Sequence, residues 1–182
     1  MRRIGTRGCL LALIVLTVVV LVGGLLLYRA VSERTNFRPV LSAGQEAELT
    51  LPAGFEANIY AGGLSNPRFI AFGPDGHLYV ADRGNGRIVA LPDVDGDGEA
   101  DGQVVLAEDL DQPHSLVHHQ GSWFVGVPSG VIRLRDTDGD GAADERETII
   151  GDIPPGGNHR TRTVEFLTDG RMVLSVGSTC NV

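Results

Sequence analysis

Apolar residues follow two different patterns along this chain. Residues 9–28 form an almost unbroken apolar run, whereas after Leu51 apolar and polar residues alternate in short segments between Gly, Pro and Asp. Alternation with a period of two predicts strands that are buried on one face, and the frequent Gly and Pro exclude long helices. We therefore expect one N-terminal helix and then an all-β region, whose first strand we predict at Glu56–Ala61.

The all-β region repeats itself. Its first copy opens with Leu-Ser-Asn-Pro at Leu64–Pro67 and closes on an acidic turn at 93–98. Its second copy opens at Leu110–Pro113 and closes on an acidic turn at 136–141, and a third copy begins near Ile153. The openings are 46 residues apart and the acidic turns 43 residues apart, so the region is built from units of similar length and order.

A period in the mid-forties with short strands and several Gly turns per unit is typical of a β-propeller blade. A single blade cannot bury both faces of its sheet, so it must pack against the next blade. Residues 48–182 hold about three blades at this period, whereas closed propellers have about four to eight. We interpret residues 48–182 as β-propeller blades of a truncated ring, and the fold class as all-β with a partial β-propeller.

The apolar run at residues 9–28 is long enough to cross a bilayer, because helical residues rise about 1.5 Å each. Residues 1–8 form a short basic tail, which the positive-inside rule puts in the cytoplasm. We expect a transmembrane signal anchor at 9–28, a linker at 29–47 and a membrane-anchored propeller outside the cytoplasm, in the periplasm or at the cell exterior. A cleaved signal peptide with a weak site at Ala30–Ser32 is the alternative.

Charge and cysteine content restrict the partners further. The net charge of −8 argues against a nucleic acid partner, because phosphate binding needs clustered Lys and Arg. The two cysteines, Cys9 and Cys180, offer no sensible disulfide, since Cys9 lies in the predicted anchor.

The two acidic turns have the spacing of an EF-hand loop without its flanking helices. The first offers Asp93, Asp95, Asp97 and Asp101, and the second offers Asp136, Asp138, Asp140, Asp144 and Glu147. Ca²⁺ takes six to eight oxygen ligands, which alternate Asp residues around a Gly turn can supply. These residues are therefore candidates for structural Ca²⁺ sites. The alternative is that Asp and Gly only form tight hairpin turns.

Histidines precede two of the predicted inner strands. His159, followed by Arg162, comes before the strand at 164–166, and His114 follows Pro113. Innermost strands line a propeller's central channel, where ligands bind, and His is the usual general base near neutral pH. Simple solvation of these side chains in loops is the other reading. The adjacent His118 and His119 do not suggest a metal site, because neighbouring side chains of a strand point to opposite faces.

Residues 67–83 read PRFIAFGPDGHLYVADR, and residues 159–181 read HRTRTVEFLTDGRMVLSVGSTCN. These two segments resemble the glucose/sorbosone dehydrogenase family, a family of six-bladed propellers that use pyrroloquinoline quinone (PQQ). The resemblance covers roughly residues 51–182, the first half of a full propeller. It implies that His159 takes a proton from a sugar hydroxyl or hydrated aldehyde while hydride passes to the quinone. It also implies that Arg162 helps to hold the anionic PQQ, and that His77 matches a position where some members have a cofactor-contacting glutamine.

The resemblance favours a membrane-anchored quinoprotein oxidoreductase that oxidises a sugar or related aldehyde with PQQ. The family's later cofactor-binding residues would fall beyond residue 182, so we expect the chain alone to be an incomplete and inactive fragment. The repeat by itself fits equally well a non-catalytic propeller of the NHL or lactonase-like type that binds a protein or glycan. A lactonase-type hydrolase with a channel metal ranks last, because only Asn181 and Asp82 could be ligands.

Overall fold

The computed structural model of the protein describes residues 17–24, 26, 37–39, 50–178 and 180. The chain divides into two compact units, Met1–Thr35 and Asn36–Val182. In the first unit, residues 17–24 and 26 are helical and exposed. The described residues include no helix that is long and apolar enough to span a bilayer. The rest of the anchor predicted at 9–28 lies outside the described residues.

The described strands of the second unit form three sheets, and all neighbouring strands are antiparallel. The first sheet has the order β1-β5-β4-β3-β2 and consists of β1 (Phe37–Pro39), β2 (Pro67–Phe72), β3 (Leu78–Asp82), β4 (Arg87–Leu91) and β5 (Gly102–Ala107). The second runs in sequence order through β6 (Ser115–His119), β7 (Ser122–Val127), β8 (Gly130–Arg135) and β9 (Glu145–Ile150). The third pairs β10 (Arg162–Phe166) with β11 (Met172–Val176).

The order of these sheets is consistent with part of a propeller, as the repeat predicts. The first strands of the three units are neighbours, since β2 contacts β6 and β6 contacts β10. These strands end at Phe72, His119 and Phe166, which are spaced 47 residues apart. The Pro residues that open the first two units are 46 apart, because Pro67 lies five residues before the end of β2 and Pro113 six residues before the end of β6. The three inner strands are therefore structurally equivalent.

The core lies between the first and second sheets. Its centre is the contact of Tyr79 on β3 with Trp123 on β7, whose ring centroids are 4.3 Å apart. Ala81, Ile88 and Val125 are fully buried in the same cluster. Face-to-face packing of two such sheets is the contact that each blade needs to bury its apolar side chains.

The segment before β2 covers the other face of the first sheet. Val80 and Val89 belong to a second buried cluster, against which Tyr60, Ala61 and Leu64 pack, because neighbouring side chains of a strand point to opposite faces. The first strand predicted at Glu56–Ala61 is wrong, since the segment is not a strand. Ala100 N donates a backbone hydrogen bond to Tyr60 O (2.7 Å), but the segment does not pair with the sheet as a strand. The edge position beside β5 is occupied by β1.

Large apolar side chains of the first and third sheets stay exposed. Ile70 and Phe72 of β2 are 63% and 74% exposed, and Val176 of β11 is 53% exposed. Large apolar side chains that remain in contact with water mark surfaces that pack against other parts of a protein. In a propeller these are the faces that neighbouring blades cover.

Candidate active site at the inner ends of the blades

The three inner strands begin at one end of the array, which we call the entry end. It comprises the loops that precede the inner strands, at 61–66, 108–114 and 151–161, and the turns at 83–86 and 128–129. Backbone hydrogen bonds join these segments: Gly84 N donates to Ser65 O (2.7 Å), Leu110 N to Gly86 O (2.8 Å) and Ile153 N to Ser129 O (3.1 Å). The entry end is therefore one connected rim.

The rim has a left-handed backbone at equivalent positions of two repeats. Asn66 and Gln112 have φ angles of 51° and 44°, and each directly precedes the Pro of its repeat. Asp109 and Asp152, which are 43 residues apart, have φ angles of 57° and 62°. Such angles cost energy for residues other than Gly, and they concentrate at functional sites. Their recurrence makes them a feature of the repeat.

Asp82, at the end of β3, fixes the rim of the first blade. Its side chain is fully buried and accepts hydrogen bonds from Ser65 N (2.7 Å), Asn85 Nδ2 (2.8 Å) and Arg87 Nε (2.8 Å). It therefore ties the loop at 61–66 to the short 3₁₀ turn Arg83–Asn85. Sequence reasoning considered Asp82 only as a metal ligand, although the Asn and Arg three and five residues later indicate such a network.

Arg162 closes the loop that carries His159. Arg162 is 2% exposed, and its guanidinium donates to Thr161 O and Pro154 O, both at 3.0 Å. Within the described structure its Nε is buried and has no hydrogen-bond partner. The predicted cofactor-binding arginine is thus held inside the fold by the loop that precedes it, and its Nε–H has no partner among the described residues.

His159 is exposed on this loop, close to the end of β11. A Cβ on Gly177 would lie only 2.3 Å from His159 O and 2.9 Å from His159 Cβ, so the lack of a side chain at Gly177 lets the loop approach. Ser115 Oγ joins the blades here, since it donates to Arg162 O (2.9 Å) and accepts from Val164 N (3.1 Å). The structure therefore brings His159 and Arg162 together beside the start of β6.

His114 lies next to Ser115 and is 8% exposed. Its backbone N donates to Gly126 O (2.8 Å), and its ring packs against Phe69, with centroids 5.3 Å apart. Its Nδ1 is buried and has no partner among the described residues. Burial lowers the pKa of His114 below its usual value of 6.5, and the charges of Arg68 and Arg83 lower it further. The imidazole is therefore neutral at pH 7.

His77 lies at the other end of β2, in the turn to β3. Its N donates to Asp75 Oδ1 (3.1 Å), and its O accepts from Gly73 N (2.8 Å). Five residues of strand separate Phe72 from Pro67, which is roughly 17 Å at 3.3–3.4 Å per residue. The structure therefore does not bring His77 together with His159 and Arg162.

Several arginines of the entry end lack a carboxylate partner. In the described part of the chain, no carboxylate pairs with Arg68, Arg83, Arg160 or Arg162, whereas Arg87 pairs with Asp82 at the same end. Away from the entry end, ion pairs form at Arg133, Arg135 and Arg171, and Arg146 donates to a backbone carbonyl instead. Guanidinium groups without a carboxylate partner are the donors that anionic ligands use.

The two acidic turns lie at the end opposite the entry end, between β4 and β5 and between β8 and β9. Oxygens of Asp93, Asp95 and Asp101 lie within 4.8 Å of one another, and so do those of Asp136, Asp138 and Asp144. Both turns repeat one pattern, in which the first Asp accepts two Gly N–H groups and the last Asp accepts one backbone N–H.

Three clustered carboxylates fit a hard cation such as Ca²⁺. The hydrogen bonds of Thr137, first from its backbone N and then from its side chain, lower the pKa of Asp144, so this carboxyl stays ionised to a lower pH. Asp97 and Asp140 lie beside these groups and accept from Glu99 N and Ala142 N, both at 2.8 Å. Glu147 lies on β9 opposite Arg133 and forms an ion pair with it, outside the Asp group.

Comparison with known proteins identifies both a family and a fold. The model of a domain family of unknown function, DUF7133, matches residues 44–181. No curated protein matches the chain. Among solved structures, it resembles the calcium and iodide structures of a carbohydrate-active enzyme of family AA12 from Trichoderma reesei. Their TM-scores are 0.62 and 0.61, with 23% identity over 71% of this chain and 34% of that chain.

The chain also resembles the holo form of the PQQ domain of pyranose dehydrogenase from Coprinopsis cinerea. The TM-score is 0.57, with 25% identity over 66% of this chain and 30% of that chain. The chain thus spans about a third of the length of these solved structures. The likeness shows a shared fold, with a distant structural resemblance to the PQQ domain of pyranose dehydrogenase.

Proposed function

The chain belongs to the DUF7133 family of domains of unknown function, and from that premise we propose that its full protein is a quinoprotein oxidoreductase. It oxidises a sugar or a related aldehyde with PQQ at the entry end. The observation that carries the proposal is the pairing of an exposed imidazole, His159, with a loop that the buried Arg162 closes, amid arginines without carboxylate partners. The holo PQQ domain of pyranose dehydrogenase, 25% identical, adds support.

PQQ, when bound, supplies the acceptor for the hydride of the substrate. His159 accepts the proton of the substrate hydroxyl, because a neutral imidazole is the general base best matched to neutral pH. Arg162 holds the loop of His159 in place through its bonds to Pro154 O and Thr161 O, and its buried positive charge favours an anionic cofactor beside that loop. Unpaired arginines around the rim attract the anionic cofactor.

Calcium in this proposal is structural. The two Asp groups hold Ca²⁺ in the acidic turns, at the end of the blades that does not carry His159. The ions join strands β4 to β5 and β8 to β9 and take no part in proton transfer. The apolar run at residues 9–28 anchors the protein in the membrane with the propeller outside the cytoplasm, which fractionation and external protease treatment of intact cells would test.

The proposal is tested on the full-length protein with PQQ, Ca²⁺ and a sugar, by dye-linked oxidation. We expect oxidation by the wild type and a loss of at least a hundredfold in kcat for His159→Ala, the usual contribution of a general base. His77→Ala is the matched control, because this histidine lies at the opposite end of β2, and it should keep wild-type kcat. Wild-type rates in a His159→Ala protein that binds PQQ would remove His159 as the base.

A non-catalytic propeller that binds a protein or glycan is the second candidate. The exposed apolar faces of β2 and β11 and the repeat itself suit it equally well. A full-length protein that leaves PQQ absorbance and fluorescence unchanged in titrations, and that retains glycans on an array, would favour this candidate over the oxidoreductase.

A further inference from the structure

Three groups of the first two blades lie at the entry end and take no part in proton transfer: Arg68, Arg83 and His114. Arg68 directly follows the Pro of the first repeat, and His114 follows the Pro of the second. The ring of His114 packs against Phe69, the residue after Arg68, and Arg83 donates to Gln112, two residues before His114. These contacts bring the three residues into one cluster, although they come from β2, from the turn after β3 and from the loop before β6.

Arg83 is held firmly but its charge is not compensated. It begins the 3₁₀ turn that Asp82 fixes, and Gly86, in a left-handed conformation, ends this turn with a hydrogen bond to Arg83 O. Its guanidinium donates to Gln112 Oε1, which is a neutral acceptor. A guanidinium has five N–H donors, so most of them stay available to a ligand.

Arg68 and His114 complete the cluster in different ways. Arg68 is exposed, and it has no ion pair within the described residues. His114 is buried against Phe69, the residue after Arg68, and its Nδ1 has no hydrogen-bond partner among the described residues. An unpaired buried nitrogen costs free energy, and a hydrogen-bonding group of a ligand or a water molecule at the cluster offsets this cost.

We propose that Arg68, Arg83 and His114 form a carboxylate-binding subsite at the entry end. Two guanidinium groups and one neutral imidazole offer N–H donors and net positive charge, which is the recognition chemistry of a carboxylate. The subsite rests on the proposed function, in which two ligands can bring the carboxylate. One is the cofactor, since PQQ is anionic, and the other is a substrate that is an acidic sugar such as a hexuronate.

The test separates these two sources in the full-length protein. The variants are Arg68→Gln and Arg83→Gln, with Arg171→Gln as the control, because Arg171 is an exposed arginine in the β10–β11 turn, away from the entry end. The probes are PQQ, followed by its fluorescence, and glucuronate with glucose as its neutral counterpart. Dissociation constants for glucuronate are measured by calorimetry without the quinone, and KM values with it.

Each source predicts its own result. If the cofactor brings the carboxylate, Arg83→Gln and Arg68→Gln raise the Kd of PQQ about tenfold and leave the glucuronate-to-glucose preference unchanged. If the substrate brings it, the two variants raise the Kd and KM of glucuronate about tenfold and leave those of PQQ and glucose unchanged. Arg171→Gln changes none of these values in either case.

Two results would overturn the subsite. One is a change of less than twofold for PQQ and for glucuronate in both entry-end variants. The other is an equal change in Arg171→Gln, which would indicate a general charge effect. The calorimetric titration keeps this test apart from the proposed function, because glucuronate binding that depends on Arg68 and Arg83 supports the subsite even in a protein that does not bind PQQ.

Discussion

Replacing Asp82 by Ala should be among the most damaging single changes in the first blade. The carboxylate is completely buried, and it accepts three hydrogen bonds of 2.7–2.8 Å from Ser65 N, Asn85 Nδ2 and Arg87 Nε. Its removal leaves the side chain of Arg87, which is only 14% exposed, without its carboxylate partner. The variant also removes the side-chain link between the loop at 61–66 and the turn that carries Arg83, and leaves the backbone bond from Gly84 N to Ser65 O.

The size of the effect follows from these contacts. Removing one partner of a buried ion pair typically costs about 3–5 kcal/mol, because the other charge remains buried and uncompensated. Arg87 keeps its bonds to Gln103 Oε1 (3.1 Å) and Gly63 O (3.2 Å), so we expect the lower half of that range, about 3–4 kcal/mol. For a protein of this size that is a fall in Tm of roughly 6–16 °C.

Urea denaturation would measure the loss of unfolding free energy, and calorimetry the fall in Tm, in the wild type, Asp82→Ala and Glu145→Ala. Glu145 is the control because it pairs with Arg135 (3.2 Å) across β8 and β9, with both side chains largely exposed. Exposed pairs contribute about 0–1 kcal/mol. If Asp82→Ala loses no more free energy of unfolding than Glu145→Ala, the buried Asp82–Arg87 pair does not stabilise the blade more than an exposed pair does.

Further predictions concern the acidic turns, one imidazole and one glycine. Millimolar Ca²⁺, but not Mg²⁺, should raise Tm, and Asp136→Asn should reduce the rise; an unchanged Tm would leave only the hairpin-turn reading. The folded pKa of His114 is lowered, so its contribution to stability is complete above pH 6.5 and is lost as the pH falls below it. Between pH 7.5 and pH 5.5, urea unfolding should therefore show a smaller loss of unfolding free energy in His114→Gln than in wild type. An equal loss in both proteins would contradict this role of His114. Gly126→Ala should destabilise the protein by about 1–3 kcal/mol, because its Cβ would lie 2.3 Å from Arg162 O, whereas Gly156→Ala, with no described atom within 4 Å, should be neutral in thermal melts.

The sequence predicts the repeat well because a strand and its turn are local features. Alternation predicts short strands between the turns of each unit, and the structure confirms them, for example in β3 and β8. It failed at Glu56–Ala61, where the same alternation arises from packing on a sheet face without pairing along an edge. A pattern of apolar residues reports burial, and it does not report which backbone supplies the hydrogen bonds.

The candidate site was predictable only in part. Position at the start of an inner strand identified His159 and Arg162, which lie at the entry end, His159 in the loop before β10 and Arg162 as the first residue of β10. It could not show that the guanidinium of Arg162 turns back onto Pro154 O, because that bond depends on the shape of a loop. The Glu147–Arg133 pair was missed for a similar reason, since it requires the register of β8 and β9.

The left-handed conformation of Gln112 has a consequence for how this rim can change. Gly would adopt a φ of 44° without strain, whereas a residue with a side chain gives up roughly 1–2 kcal/mol in this region. The amide of Gln112 is the acceptor for Arg83, so a glycine there would gain backbone stability and lose the orientation of that arginine. The strained backbone at Gln112 is therefore tied to the side chain that orients Arg83, and a glycine would exchange that orientation for a relaxed backbone.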